Sequence, residues 1–400
     1  MKIIFLTTAK ITNVNASGIY TDLLREFKKN GHDIYIVCPV ERKFNEKTSY
    51  VHESGINILK VWSPNIQKTN LLEKGISTLI LGYLFKISID KYIDITQIDL
   101  IIYSTPPVTF NNLISELKKK SKAKTYLLLK DIFPQNAVDL GFMKKSSMIY
   151  NYFRKQEREL YNISDYIGCM SPANCKYLLL QNSELNPQKI EVNPNSIDTH
   201  NFKICDLSKE EIIIKYNLPS NKVFFIYGGN LGKPQGVEYI KKNIQNCKSI
   251  KDAFFLIIGS GTEFSILKNW IAEFSPQNVA LYNELPQFEY EELLSIADVG
   301  LIFLNPKFTI PNFPSRLLYY MKYSLPILCS VDETTDVGDI VFQNNFGLSS
   351  NIERSDEFFY NVILLLDNNK RKALGQNSLN FLKTNYSVDI SYNLILSKFY

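Results

Sequence analysis

Short runs of Ile, Val, Leu and Phe alternate along the chain with longer segments of helical or loop character. In the first half these apolar runs lie at 2–7, 33–38, 99–103, 125–129 and 166–169. In the second half they lie at 223–227, 254–258, 279–282, 299–303 and 326–329. Buried strands that alternate with helices are typical of a parallel sheet covered on both faces. The pattern therefore predicts an α/β protein with two doubly wound parallel sheets, one after the other.

The segment 193–222 separates the two series of strands. It contains Pro194, Pro219 and a charged helix start at 209–211, which indicates the last strand and loop of the first half followed by a linker. A length of 400 residues also favours two cores over one. We therefore expect one domain in residues 1–200 and a second after residue 200.

Composition excludes several classes of protein. With 45% hydrophobic and 21% charged residues, the chain is too apolar to be disordered. Its six cysteines are scattered without a C-x-x-C pair, it has three histidines, and it contains no Asp-x-Asp triplet. These features disfavour a disulfide framework, a zinc ribbon and a carboxylate pair holding a metal-bound nucleotide. We expect no metal site and a reducing, cytoplasmic compartment.

Charge is distributed unevenly between the two halves. Residues 1–200 carry 26 Lys and Arg against 19 Asp and Glu, a net +7, whereas residues 201–400 carry 19 against 21, a net −2. A basic half fits an anionic membrane surface or a phosphate-bearing substrate, and the sequence has no nucleic-acid-binding motif. We therefore expect the first half to bind a membrane surface or a phosphate-bearing substrate, and not a nucleic acid.

One apolar stretch, Gly75–Phe85, is a candidate for contact with a membrane. Its 11 residues are too few to span a bilayer, which takes about 20. It is flanked by Lys74, Lys86 and Lys91, whose charges suit lipid headgroups. The stretch predicts either a helix lying on a membrane surface or a helix packed in the core.

The turn after the strand at 223–227 is rich in glycine. Four glycines and Lys233 lie within the nine positions 228–236. Glycines let the backbone approach a pyrophosphate closely, and the lysine supplies positive charge. The loop matches neither G-x-G-x-x-G nor a Walker motif, which disfavours a nicotinamide dinucleotide or a P-loop nucleotide. A second tight turn, Gly259–Glu263, follows the next strand.

Two further strand or helix ends are candidates for anion binding. The loop after the first strand ends at Gly18, which would either let the backbone approach a phosphate or sugar, or belong to a flexible connection. Pro314 and Ser315 resemble the start of a helix with Arg316 beside it, and a helix start with an arginine favours an anion. Together with the glycine loop, this helix start would clamp a diphosphate from two sides.

The whole chain resembles the retaining GT-B glycosyltransferases of family 4, particularly their bacterial capsule and O-antigen branch. The matching motifs, in order along the chain, are Gly31–Ile34, Ser104–Pro107, Lys130–Pro134, Asp165–Ser171, Pro194–Asp198, Gly229–Gly232, Ala297–Val299 and Pro314–Arg316. The resemblance implies two Rossmann-like domains facing a central cleft. Residues 1–200 would bind the acceptor, 201–379 would bind the nucleotide sugar, and a final helix at 380–400 would cross back to the first domain.

The resemblance also implies roles for individual residues. The loop from Gly229 to Gly236 would face the donor diphosphate, Leu285–Gln287 would meet the base through their backbone, and Pro314–Leu317 would bind the distal phosphate. Lys130 and Asp131 stand where many relatives have His-Asp at the sugar. The expected donor-binding residues are Gly18, Gly229, Asn230, Gly232, Gln235, Gly259, Leu285, Gln287, Asn312, Pro314, Ser315, Leu317 and Tyr319.

The chain departs from the family pattern at two places. The arginine and lysine of the family's diphosphate loop are replaced by Asn230 and Gln235, which leaves Lys233 and Arg316 as the available cations. The family's paired glutamates fall on Pro311 and Tyr319, so the usual carboxylate contacts to the donor are absent. Either Asn312, Ser315 and backbone groups recognise the donor instead, or the protein has lost transfer activity.

The reaction expected from the resemblance is metal-independent transfer of a sugar from a UDP donor, with retention. The expected catalytic residues are Lys130, Asp131, Lys233 and Arg316. Lys233 and Arg316 would stabilise the departing diphosphate. Asp131 would position or help to deprotonate the acceptor, and Lys130 would add charge; the other interpretation of Asp131 is an Asx turn before Pro134.

The expected partners are the UDP-sugar, carrying an N-acetylated or deoxy amino sugar, and a saccharide linked to a polyprenyl pyrophosphate. The net charge of residues 1–200 and the Gly75–Phe85 stretch place this acceptor at the inner membrane surface, in capsule or O-antigen synthesis. No cofactor is expected besides the donor. Two alternatives stay open: a non-catalytic nucleotide-sugar-binding partner in a polysaccharide assembly complex, and a GT-B nucleotide-sugar epimerase.

Overall fold

The computed structural model describes residues 1–67, 69–200 and 205–399, and the chain divides into two compact units. Unit 1 consists of Met1–Asp198 and Val388–Tyr400, and unit 2 consists of Thr199–Ser387. Each unit is built on a sheet with helices between its strands. The predicted α/β architecture of two doubly wound sheets is therefore confirmed.

Unit 1 contains an eight-stranded sheet. Its strands are β1 (Lys2–Leu6), β2 (Asp33–Glu41), β3 (Ser49–Glu53), β4 (Ile56–Ser63), β5 (Leu100–Ser104), β6 (Lys124–Leu129), β7 (Tyr166–Cys169) and β8 (Ile190–Val192). They lie in the order β3-β4-β2-β1-β5-β6-β7-β8. The chain moves from β1 to β2 on one side and later adds β5 on the other side of β1. This switch in direction leaves a crevice at the carboxyl ends of β1 and β5, where such sheets bind ligands.

The sheet of unit 1 is not wholly parallel, which corrects the sequence-based prediction. Strand β3 pairs antiparallel with β4 in a hairpin. Its two connecting residues, Ser54 and Gly55, both have positive φ, as this kind of tight turn requires. The middle of β3 is exposed, so it lacks the apolar run by which the other strands are recognised.

Six helices follow these strands within the first part of unit 1. They are α1 (Thr21–Lys29), α2 (Leu71–Tyr92), α3 (Asn111–Ser121), α4 (Gln135–Asp139), α5 (Met148–Ile163) and α6 (Pro172–Gln181). Within the described residues, no helix is both long enough and apolar enough to cross a bilayer. Helix α2 contains the Gly75–Phe85 stretch and buries only one face, through Leu81, Phe85 and Ile89.

Unit 2 contains a six-stranded sheet that is parallel throughout its described strands. These strands are β9 (Val223–Asn230), β10 (Ala253–Ser260), β11 (Val279–Tyr282), β12 (Val299–Phe303), β13 (Ile327–Val331) and β14 (Gly347–Asn351), in the order β11-β10-β9-β12-β13-β14. Its helices are α7 (Lys209–Lys215), α8 (Val237–Asn246), α9 (Phe264–Phe274), α10 (Gln287–Ile296), α11 (Arg316–Lys322), α12 (Val337–Gln343), α13 (Ser355–Leu364) and α14 (Asn368–Asn385). The switch in direction lies between β9 and β12, beside the glycine loop.

The last helix, α15 (Val388–Leu396), belongs to unit 1. The final helix predicted at 380–400 corresponds to α15, which starts at Val388, whereas α14 ends at Asn385 within unit 2. Helix α15 is tied to unit 1 by polar contacts. The Val388 N–H donates to the Ile197 carbonyl at 3.1 Å, and the Ser391 hydroxyl donates to Asn193 Oδ1 at 2.7 Å.

Candidate active site

The glycine loop of unit 2 lies at the carboxyl end of β9. Gly229 has a φ of +126°, a conformation that disfavours any residue with a side chain. In the adjacent strand, a Cβ at Gly259 would lie 1.8 Å from the Gly229 carbonyl oxygen, while a Cβ at Gly229 itself would lie 3.6 Å from Arg316 Cζ. These glycines thus let two strand ends and the guanidinium of Arg316 come close together.

Two predicted donor-binding residues maintain the shape of this loop. Asn230 Nδ2 donates to Gln235 Oε1 at 2.8 Å, and the Gly232 N–H donates to the same oxygen at 3.3 Å. The Tyr227 hydroxyl donates to the Asn230 carbonyl at 2.6 Å. Gln235 is buried. The Gln235 side-chain oxygen is therefore engaged within the loop, so the contact predicted between these two amides and a donor is revised to a bracing role.

Lys233 follows Gly232 and begins a short 3₁₀ turn, Lys233–Gln235. Its side chain is exposed, and its carbonyl oxygen accepts a hydrogen bond from Asn305 Nδ2 at 2.7 Å. The backbone of Lys233 is thus fixed between β9 and the end of β12.

Arg316, the first residue of α11, packs against the loop. Its Cζ lies 4.3 Å from the centroid of the Tyr227 ring, a cation–π contact. Its Nη1 is buried and has no hydrogen-bond partner. A buried, unpaired guanidinium N–H is costly. The site therefore holds a positive donor that an anion in the glycine loop would satisfy.

Three tyrosines surround Arg316, namely Tyr227, Tyr290 and Tyr320, and no role for them was predicted from the sequence. The Gly228 N–H donates to the fully buried Tyr320 hydroxyl at 3.0 Å. Tyr290 also packs directly against Gly228, since a Cβ at Gly228 would lie 2.0 Å from the Tyr290 hydroxyl oxygen. Burial raises the pKa of Tyr320 to about 12, so the hydroxyl keeps its proton at neutral pH.

The structure adds Tyr320 to the candidate site, and the predicted contact between Tyr319 and the donor stays a prediction. Tyr320 is the residue that contacts the glycine loop. Residues four apart share one face of a helix, and Tyr320 is four residues after Arg316. That spacing, together with Tyr227 directly before the paired glycines, is the sequence signal that would have identified the aromatic group.

Helix α11 starts where the sequence predicts, directly after Pro314 and Ser315. Ser315 is exposed and makes no side-chain capping bond. Leu317 is fully buried, and its N–H donates to the Pro314 carbonyl at 3.2 Å. The contact predicted between Leu317 and a phosphate is therefore wrong. The carbonyl of Asn312 accepts the Thr335 hydroxyl at 2.7 Å.

Leu285 and Gln287 lie between β11 and the first turn of α10. Leu285 is half-buried, whereas Gln287 is exposed and donates through Nε2 to Glu291 Oε1 at 2.9 Å. At the neighbouring strand end, the Ser260 hydroxyl donates to Glu284 Oε2 at 2.8 Å. Glu284 places a carboxylate at this edge of the sheet that sequence reasoning missed.

In unit 1 the pair Lys130–Asp131 follows β6. The Thr105 hydroxyl, at the end of β5, accepts from the Lys130 N–H at 3.1 Å and donates to the Asp131 carbonyl at 3.0 Å. Lys130 Nζ donates to the Asn193 carbonyl at 3.4 Å. The ends of two neighbouring strands thus fix the backbone of the predicted pair.

Burial changes the proton affinity of both side chains. It lowers the pKa of Lys130 to about 7, so the amine is only partly charged at neutral pH, and the prediction of a fixed positive charge there is revised. Burial raises the pKa of Asp131 to about 6, opposed by backbone Ile132 and by Asn136, whose Nδ2 donates to Oδ2 at 2.6 Å. This strand end therefore carries a mostly ionised carboxylate and a partly neutral amine, and each of these groups can accept a proton.

Gly18, predicted to approach a phosphate or sugar, has an internal role. Its N–H donates to Asp22 Oδ1 at 3.0 Å. The other carboxylate oxygen of the buried Asp22 accepts the Asp198 N–H at 2.9 Å. The Gly18 N–H is thus used to brace the start of α1, and the predicted approach of a phosphate or sugar to this backbone stays a prediction.

The C-terminal unit matches a known family model. Residues 208–381 match the family described as Glycosyl transferases group 1. The protein is a glycosyltransferase. This assignment favours a transferase over the binding partner and the epimerase that the sequence left open.

Individual relatives agree with this assignment. The probable glycosyltransferase WbjE of Pseudomonas aeruginosa is 24% identical over 286 residues, which cover 71% of this glycosyltransferase and 70% of that protein. Among solved structures, sucrose-phosphate synthase from Thermosynechococcus elongatus has a TM-score of 0.74 at 13% identity, covering 100% of this chain and 98% of the synthase. Anabaena HepE in complex with UDP and glucose has a TM-score of 0.71 at 12% identity, covering 100% and 99%. At such identities the structures show the fold alone, which is GT-B.

Proposed function

We propose that this glycosyltransferase moves a sugar from a UDP donor, held in unit 2, to a lipid-linked saccharide. The observation that carries the proposal is the buried, unpaired Nη1 of Arg316 against the glycine loop. It is a positive hydrogen-bond donor at the switch point of a parallel sheet, where such folds bind phosphates. HepE, whose fold this chain shares, is described in complex with UDP and glucose, which supports UDP as the nucleotide.

The donor half of the proposed reaction rests on fixed charge. As the bond between the sugar and the diphosphate breaks, negative charge develops on the leaving UDP. Arg316, held in place by the Tyr227 ring, would stabilise that charge without reorganising, and Lys233 would add a second positive charge. Preorganised cations of this kind are usually a large part of catalysis. We propose that the transfer needs no metal and, as in the resembled family, retains configuration at the sugar.

The acceptor half rests on Lys130 and Asp131. An acceptor hydroxyl beside them would donate its hydrogen bond to the Asp131 carboxylate, and the pair would take up the proton that the hydroxyl loses. Their pKa values of about 7 and about 6 lie near neutral pH, where a general base is most effective. The departing proton thus has a defined destination in unit 1.

We further propose the acceptor class and the setting. The net +7 charge of residues 1–200 suits a saccharide on a polyprenyl pyrophosphate at the inner membrane face. The resemblance to the capsule and O-antigen branch supports polysaccharide synthesis with an N-acetylated or deoxy amino sugar as donor.

The decisive experiment measures nucleotide binding and then transfer. Thermal shift with UDP, GDP, TDP and ADP, without added metal, should show selective stabilisation by UDP. Arg316→Ala should abolish that shift and Lys233→Ala should reduce it. The matched control is Arg354→Ala, which removes an exposed arginine of unit 2 paired with Glu357 at 2.9 Å, and which should leave the UDP shift intact.

Labelled UDP-sugars incubated with bacterial lipid extracts should then yield a labelled lipid. Absence of a shift with any nucleotide would overturn the donor site. A UDP shift that survives in Arg316→Ala would move the diphosphate away from the glycine loop. A UDP shift without label in lipid would overturn the proposed acceptor.

A further inference from the structure

The outer face of α2 carries an apolar stripe. Its exposed members are Ile76, Leu79, Ile80, Tyr83 and Ile87, which we call the α2 stripe. Their spacing of three and four residues places them on one side of the helix. The opposite side packs into unit 1, so the stripe is additional to what the core uses. Exposures of 58% at Ile76 and 65% at Tyr83 are high for such side chains, and a contiguous exposed patch of this kind marks an interaction site.

A second apolar surface surrounds the start of α5. Its exposed members are Phe142, Met148, Ile149 and Tyr152, which we call the α5 patch. Met148 is 88% exposed. Lys144 and Lys145, in the turn before the helix, are also exposed. Aromatic and aliphatic side chains beside a pair of lysines are the composition of surfaces that insert at the headgroup level of a bilayer.

The two surfaces belong to two helices of unit 1 that contact the same short segment. The Thr109 hydroxyl donates to the Thr78 carbonyl of α2 at 2.7 Å. Two residues later, Asn111 Nδ2 donates to Glu159 Oε2 of α5 at 2.6 Å. The short segment from Thr109 to Asn111 therefore lies between α2 and α5 and joins both.

The lysines around these surfaces favour an anionic binding partner. Lys74 and Lys91 lie on α2 and are exposed, and they add to the lysine pair of the α5 patch. The acidic residues of the same helices include Asp90, which is paired with Lys120 at 2.7 Å. Basic side chains bordering apolar ones suit the anionic leaflet of a bilayer, whose surface potential attracts each lysine.

The α2 stripe also begins beside the proposed acceptor site. Lys74, two residues before Ile76, is close enough to Asp131 for its charge to lower the pKa of that carboxyl, against the stronger effect of burial. The start of α2 therefore lies close enough to Asp131 for charges on the two to interact.

We propose that the α2 stripe and the α5 patch dock unit 1 onto an anionic lipid bilayer, so that a lipid-linked acceptor reaches Asp131 while its lipid remains in the membrane. The acceptor part of this inference rests on the proposed function, whereas the docking part concerns the surface alone. The Ile and Tyr side chains of the stripe enter the headgroup region, and the lysines contact lipid phosphates.

The test is flotation of the full chain with two kinds of vesicle, one of phosphatidylcholine and one containing 30% phosphatidylglycerol. We expect at least tenfold tighter binding to the anionic vesicles at low salt. Tyr83→Ser with Ile87→Ser should lower that binding at least tenfold, and Lys144→Gln with Lys145→Gln should lower it several-fold on anionic vesicles only. The matched control is Phe342→Ser in unit 2, which removes a side chain with the same 65% exposure as Tyr83 and should change nothing.

Three outcomes would overturn the docking surface. The first is no preference for anionic vesicles, and the second is equal loss of binding in the Phe342→Ser control. The third is a dimer by analytical ultracentrifugation that the Tyr83 and Ile87 substitutions dissociate, which would assign the stripe to a second copy of the chain. The UDP thermal shift, measured on the same variants, should stay at the wild-type value. If UDP gives no thermal shift in the wild-type protein, the donor site is refuted. The vesicle binding then still tests the docking surface by itself.

Discussion

Each unit places charged side chains at the carboxyl ends of parallel strands, but the two sites hold charge differently. In unit 2 the cation is an arginine, held against the Tyr227 ring at 4.3 Å and always protonated. In unit 1 the groups are a lysine and an aspartate whose pKa values burial brings to about 7 and about 6. One site keeps its charge at any physiological pH, and the other changes charge within that range.

The difference fits the roles that we propose for the two sites in a glycosyl transfer. A leaving diphosphate needs a charge that is present before the bond breaks, which a guanidinium with an unpaired Nη1 supplies. An acceptor hydroxyl needs a group that takes up a proton, which requires a pKa near the working pH. Arg316 in one unit and Lys130 in the other thus suit the two halves of the proposed reaction.

The largest expected effect comes from removing the fixed charge. Arg316→Ala should lower kcat/KM about 1,000-fold, because a preorganised donor to the leaving group is lost. Arg316→Lys should restore little of this activity, since an ammonium cannot reproduce the planar contact with Tyr227. Steady-state kinetics with a UDP-sugar measures both. Activity in Arg316→Ala within tenfold of Arg354→Ala would remove the distinction between the two sites.

Removing the titratable charge of Lys130 should lower the activity less than Arg316→Ala does, and it should raise the stability of the fold. Lys130→Met should lower kcat about 100-fold and abolish the rise in kcat/KM that we expect in the wild-type protein as pH passes through about 7. Rates between pH 5.5 and 9 measure this effect. A wild-type profile that is flat across neutral pH would contradict the proton-accepting role.

The same variant should be more stable to denaturant at low pH. Because burial depresses the pKa of Lys130 from its ordinary 10.5 to about 7, the unfolded chain binds the proton more tightly. The resulting penalty on folding is complete below pH 7 and disappears as pH rises to the unfolded value. Lys130→Met should therefore stabilise the fold by a few kcal/mol at pH 6 and by progressively less above pH 7.

A smaller effect is expected from a methyl group at the glycine loop. Gly229→Ala puts a Cβ at a φ of +126° and 3.6 Å from Arg316 Cζ, so UDP affinity should fall about tenfold, alongside strain of about 1–3 kcal/mol. Isothermal titration with UDP measures the affinity. Gly31→Ala is the control, because Gly31 also has positive φ but nothing within 4 Å of its Cβ; it should lower stability and leave UDP affinity unchanged.

The smallest effect should follow from one hydroxyl. Tyr320→Phe keeps the ring but removes the acceptor of the Gly228 N–H, so KM for the donor should rise several-fold with kcat nearly unchanged. The exposed Tyr360 offers a matched Tyr→Phe control. An effect of Tyr320→Phe as large as that of Arg316→Ala would mean that the hydroxyl, and not the guanidinium, dominates the site.

The strands were predictable where their own sequence is a continuous apolar run. Runs such as Val223–Tyr227 are buried on both faces and therefore read as continuous apolar sequence. The hairpin strand β3 and the edge strand β14, with the sequence Gly-Leu-Ser-Ser-Asn, have no such run. Their pairing is imposed by neighbouring strands, which a local pattern does not record.

The candidate site was predictable to the level of loops but not of atoms. Glycines near position 229 and a helix start at Arg316 both indicate an anion-binding site. The strand order brings these two segments to one edge of the sheet. That the Gln235 side chain braces the loop and that the Tyr320 hydroxyl contacts it depends on side-chain direction. The pKa of Lys130 depends on how deeply its amine is buried, which involves residues as distant in sequence as Asn193.

The return of the chain to unit 1 at α15 has a consequence for biosynthesis. Helix α15 supplies Ser391, which bonds Asn193, and Tyr392, whose hydroxyl lies 3.1 Å from His32 Nε2. During translation, unit 1 therefore lacks a packed helix until residues 388–396 leave the ribosome, whereas every residue of unit 2 has been made by then. The half of the molecule that is begun first is completed last, and Asn193, which holds Lys130, receives its final support only at that point.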